Sequence, residues 1–137
     1  MNNFTRLATL ACVAYGGLTA AQEAPKYLSK SEVDKALTGK VLLFNRPSDG
    51  AAVRWDMRKG DVFANMVGRR YGTGTSGGGG GFPGTWETRD DGAMCVKWRD
   101  NSPGQCHFYF WDGDKLKRTL EPTAEAAASA TLVEFEK

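Results

Sequence analysis

The chain reads as an all-β domain, a small antiparallel barrel or meander of seven or eight strands carrying one short N-terminal helix. Three observations predict it. From Lys40 onward apolar residues recur at every second position, as Val53, Trp55 and Met57 do, which is the period of a half-buried strand. Turn-forming clusters, among them Asp91-Gly92 and Asp112-Gly113, return at roughly the 8–12-residue spacing of antiparallel domains. No strand-like run alternates with a helical one, so parallel βαβ units are excluded.

Residues 1–21 have the layout of a secretory signal. Arg6 supplies the positive end, residues 7–18 a mildly apolar run, and Thr19-Ala20-Ala21 a small-residue cleavage site before Gln22. That run is shorter than the roughly 20 residues a membrane span needs, and Gly16 and Gly17 interrupt it, so no transmembrane segment is expected. Lipidation at Cys12 is disfavoured, because Thr9 stands where a lipoprotein signal carries Leu. The expected location is therefore the periplasm or the bacterial exterior. Residues 22–39 read as a tether and a short capping helix. Ser29 and Glu32 form an S-x-x-E capping box, Leu28 and Val33 are spaced as a hydrophobic staple, and Gly39 is a natural stop. A helix over 30–37 is barely two turns and survives only by packing on something else.

The barrel domain is expected over 40–137, with strands at 40–45, 51–57, 62–67, 84–88, 93–99, 105–111, 115–120 and 132–135. Asp-Gly between alternating hydrophobics is the strongest short-range hairpin signal. Closure of such a meander leads to a calycin-like barrel, with a sandwich as the other solution. A glycine-rich loop is expected over 72–84.

Removal of the signal takes Cys12 with it and leaves Cys95 and Cys106 as an even pair. In an oxidising compartment these read as a disulfide, worth about 3 kcal/mol by chain entropy. Their separation is not that of a CxxC site, and no further cysteine or histidine pair completes a zinc site; no metal and no cofactor are expected. One conflict stands. If Met94, Val96 and Trp98 face inward together with Phe108 and Phe110, the two cysteines project to opposite sides. Either a bulge near Pro103-Gly104, or an inward face made of His107, Tyr109 and Trp111, resolves it.

Composition narrows the function. Net charge is only +2, too low for a dedicated nucleic-acid binder, and 41% hydrophobic with 25% charged residues argues against disorder. Residues 72–77 match G-x-G-x-x-G literally, but glycines follow where a dinucleotide site needs a helix. His107 is the only histidine and lacks a nucleophile beside it, so an ordinary strand histidine is the favoured reading. Asp90-Asp91-Gly92 and Asp112-Gly113-Asp114 read as turns and not as calcium loops. Nothing in the spacing selects a carboxylate pair from Glu87, Asp56 and Asp61. Trp55, Trp86, Trp98 and Trp111 fall on four predicted strands; most such aromatics fill a core. Lining an open mouth, with Phe82 as the apolar tip of a flap, they would instead hold an apolar or sugar ligand. The basic residues Arg69, Arg70, Lys97, Arg99, Lys115, Lys117 and Arg118 could rim such a mouth or form an anion-attracting face, but Asp and Glu nearly balance them, so a solvated face is the favoured reading.

Gly84-Thr85-Trp86, then Asp91-Gly92, then Cys95-Val96-Lys97-Trp98, then Cys106 and an aromatic strand ending at Asp112-Gly113 resemble the DUF995-type small exported bacterial proteins. The resemblance covers about residues 35–118. It implies a periplasmic or secreted β domain and carries no catalytic residue over. The polyglycine run and the alanine-rich stretch at 124–130 depart from that pattern. Catalysis is not favoured. The expected function is non-catalytic binding of a small apolar or glycan ligand in the cell envelope. The alternative is a protein-interaction module resembling envelope lysozyme inhibitors.

Overall fold

The computed structural model describes residues 23–67 and 81–137. The signal-like residues 1–21 lie outside them, as does the glycine-rich stretch apart from residues 81–84. Among the described residues, eight antiparallel strands close into one barrel in chain order. They are β1 (Val41–Asn45), β2 (Ala52–Met57), β3 (Asp61–Met66), β4 (Phe82–Thr88), β5 (Met94–Trp98), β6 (Cys106–Asp112), β7 (Lys115–Thr119) and β8 (Thr131–Phe135). Helix α1 (Lys30–Leu37) precedes them, and α2 (Ala124–Ala128) sits between β7 and β8. The period-two pattern is realised as a buried interior. Leu42, Phe44, Val53, Trp55, Met57, Val62, Trp86, Met94, Val96, Leu116 and Val133 form one core cluster.

Residues Phe82 to Gly84, expected to end the glycine loop, instead begin β4. Phe82 pairs with Ala64 and Gly84 with Val62, because β3 offers ladder partners that far. Helix α2 is the element without a counterpart in the sequence reading. Thr123 caps it by accepting a hydrogen bond from Ala126 N, and its five residues are too few to show a helical period.

Helix α1 closes one end of the barrel. Its capping box is complete: Ser29 Oγ accepts from Glu32 N, and Ser29 N donates to Glu32 Oε2 at 2.8 Å. Val33 and Leu37 are fully buried, each contributing about 1.5–3 kcal/mol of apolar burial, which is what holds so short a helix. Lys30 Nζ donates to Thr88 O at 2.6 Å, Thr88 Oγ1 to Asp34 Oδ1 at 2.6 Å, and Gly39 N to Met57 O at 2.8 Å. These bonds hold α1 across the end where β2 turns into β3 and β4 into β5.

The facing conflict in β5 and β6 resolves in favour of His107 and Tyr109 pointing inward, at 6% and 0% exposure. Cys95 and Cys106 then stand opposite each other on the outer face, their Cα atoms 4.0 Å apart, joined as a disulfide. Phe108 and Phe110 also face outward, where the Tyr27 ring packs edge-on against both, with centroids at 6.2 and 5.3 Å. Only two register pairs join β5 to β6, Met94 with His107 and Cys95 with Cys106. Past them the strands part, and the stretch read as a tether fills the gap. Tyr27 bridges to Phe110, and Leu28 N donates to Tyr109 O at 2.8 Å. Gly92, at φ +88°, leaves room for this insertion: a Cβ there would sit 2.4 Å from Leu28 O.

Candidate functional site

Among the described residues, the end opposite α1 is open. Here β1 turns into β2, β5 into β6, and β7 into α2 and β8, and the barrel encloses a hollow of about 820 Å³. That volume falls within the range of small-molecule sites. Its walls are aromatic. Trp55 meets Phe44 edge-to-face at 5.0 Å and Trp98 at 5.6 Å between centroids. Each ring comes from an inward strand position, so the same alternation that builds the core below builds the wall above. Gly84 permits the Trp98 placement, since a Cβ there would lie 2.8 Å from Trp98 Cε3.

Of the aromatics singled out in the sequence, Trp55, Trp98 and Phe82 line this hollow. Phe82, 47% exposed, stands at its rim on β4. Trp86 does not line it; its indole Nε1 donates to Arg58 O at 2.7 Å at the α1 end. Trp111 lies toward the same end, 44% exposed and tilted against Phe135 at 6.4 Å. The two cysteines occupy the outer face, away from the hollow. Glu87 is exposed on β4, and Asp56 accepts from Arg58 Nη2 at 3.2 Å; neither lines the hollow. Among the described residues, no group of three or more His, Cys, Asp or Glu is placed to hold a metal. No helix among them is long and apolar enough to cross a membrane.

Arg118 corrects the expectation of a solvated basic face. It is 5% exposed, and its guanidinium stacks on the Phe44 ring at 3.6 Å and above Trp55 at 4.9 Å. No ion pair reaches it among the described residues, and residues 1–22 and 68–80 contain no Asp or Glu at all. Two further polar groups sit beside it. His107 Nδ1, Tyr109 Oη and Arg118 Nη1 are all buried and make no hydrogen bond of good geometry among the described residues, although the Tyr109 phenol and the Arg118 guanidinium lie close enough to interact. Burial, with the Arg118 charge adding to it, pushes the His107 pKa down to about 3, so the imidazole is neutral at ordinary pH. Burial drives the Tyr109 pKa up, and the nearby guanidinium only partly opposes this. Arg118 is itself pulled below its usual value by burial, Tyr109 opposing. It stays charged because guanidinium titrates so high.

Magnitudes decide what this cluster means. Leaving a buried charge without its partner costs about 3–5 kcal/mol, and stacking on a ring offsets roughly 0.5–2 kcal/mol. The cation is thus under-compensated. Sequence parity held the signal for it: Leu116 and Arg118 share a strand face, and Leu116 is an obvious inward residue. Phe44 follows from the same rule on β1.

No protein family, curated protein or solved structure matches this chain. The hollow must therefore be understood from its own chemistry.

Proposed function

We propose that the protein is a non-catalytic binder of a small, largely apolar ligand, held in the open mouth of the barrel. One observation carries this: a barrel sealed by α1 at one end retains an aromatic-walled hollow of about 820 Å³ at the other. Ring faces of this kind also stack on sugars, so a glycan remains within the ligand class. The signal-like residues 1–21 and the DUF995-type resemblance support action in the periplasm or outside the cell. Titration of tryptophan fluorescence with apolar molecules and envelope sugars tests the reading. Saturable quenching, weakened about tenfold or more by Trp55→Ala or Trp98→Ala, is the expected result. A flat response across the panel overturns it.

A second reading rests on the rim. Val67, Phe82 and Leu120 are 53%, 47% and 59% exposed around the mouth, an apolar edge suited to a partner protein such as an envelope lysozyme. Inhibition of a purified lysozyme, lost on Phe82→Asp, would favour it.

A further inference from the structure

We infer that the ligand carries one carboxylate, and that this group is held at the base of the hollow by Arg118. The inference rests on the binding reading above and names the chemistry of its ligand. Arg118 and His107 both line the hollow, and Arg118 is 95% or so removed from solvent at 5% exposure. Its guanidinium offers planar, forked donors that match a carboxylate in two parallel hydrogen bonds. Its Nη1 makes no hydrogen bond of good geometry, and the Tyr109 phenol that interacts with the guanidinium is neutral, so no anion among the described residues balances the charge.

The surroundings select the class of anion. Arg118 brings a single positive charge, and the groups facing it are the Phe44 and Trp55 rings, the neutral His107 and the Tyr109 phenol. A monoanion balances that charge; a phosphate near −2 would leave excess negative charge against an apolar wall. The strand-borne wall of Val53, Trp55, Ala64, Val96 and Trp98 takes an apolar body, while Arg46, Asp100 and Glu121 line the hollow from the connecting segments at its mouth. The ligand is therefore an amphipathic monocarboxylate, with its head inward and its tail toward the mouth.

Three ten-carbon probes separate the terms: decanoate, decanol and decyltrimethylammonium, each titrated against the intact protein below its micelle threshold by calorimetry and tryptophan fluorescence. Decanoate is expected to bind at least tenfold tighter than decanol, and the ammonium weakest. Arg118→Met should bring decanoate down to the decanol level, while Arg118→Lys keeps part of the preference. Equal binding of decanoate and decanol by the unaltered protein overturns the inference and leaves the binding reading standing; water then serves the polar cluster. A preference that survives Arg118→Met also overturns it, since the anion is then held elsewhere. Failure of all three probes to bind overturns the inference, and the binding reading is then decided by the wider panel of apolar molecules and envelope sugars. If Arg118→Met does not fold, the three-probe ranking in the unaltered protein decides alone.

Discussion

Lowering the pH from 7 to 5 is expected to cost the fold about 2 kcal/mol through His107 alone. Its pKa in the folded protein is about 3, whereas an unfolded-chain imidazole titrates near 6.5. Between those values the unfolded state holds a proton that the folded state excludes. Stability therefore rises with pH across the window and is lost as acid is added, by about 1.4 kcal/mol per unit well inside it. The cause is geometric. His107 is 6% exposed, packs edge-on to Trp55 at 6.4 Å, and feels Arg118 without a facing carboxylate. Urea unfolding followed by tryptophan emission, at pH 7 and pH 5, compares the unaltered protein with His107→Gln. Glu32, Asp91, Asp100, Asp112 and Glu136 are all held below their usual values by hydrogen bonds and neighbouring charges, so their effects fall mainly below pH 5. The expected result is a loss of about 2 kcal/mol in the unaltered protein, largely absent from His107→Gln. Equal losses in the two proteins, or an imidazole seen by NMR to protonate above pH 5, would refute the reasoning.

Two further expectations concern the seam between β5 and β6. Replacing Cys95 and Cys106 together by Ala should lower stability by about 3 kcal/mol, read as a shift in the urea midpoint; an unchanged midpoint would show that the two-pair seam holds without its staple. Gly92→Ala places a Cβ against Leu28 O in a left-handed backbone and should cost about 1–3 kcal/mol. It should also speed hydrogen exchange at the Leu28 amide, and wild-type protection there would count against the insertion described above.

Much of this architecture is local and so was legible in the residues. Helix α1 follows from Ser29, Glu32, Leu28 and Val33, all within one turn of its start. The strands follow from alternation, which needs no knowledge of partners. What escaped depends on cover from elsewhere in the chain. Phe108 and Phe110 resemble core residues, and they are packed, but beneath Tyr27 on the outer face. Phe82 resembles a loop tip until β3 is seen to pair with it. In the candidate site, Trp55 and Trp98 were recognisable as strand aromatics but not separable from Trp86 and Trp111, whereas Arg118 was hidden among six other basic residues by its charge. Only its shared face with Leu116 marks it as inward.

Closure of the barrel joins distant parts of the chain: Leu42 of β1 lies opposite Phe135 of β8, and Arg54 of β2 reaches Glu136 through a hydrogen bond of 2.7 Å. Such long-range pairing slows folding toward the millisecond-to-second regime of β-rich topologies. It also sets an order during synthesis. A nascent chain that ends before Thr131 holds seven strands with unsatisfied edges at β1 and β7, a surface prone to pair with other chains. A continuous interior wall thus exists only once the final strand has docked.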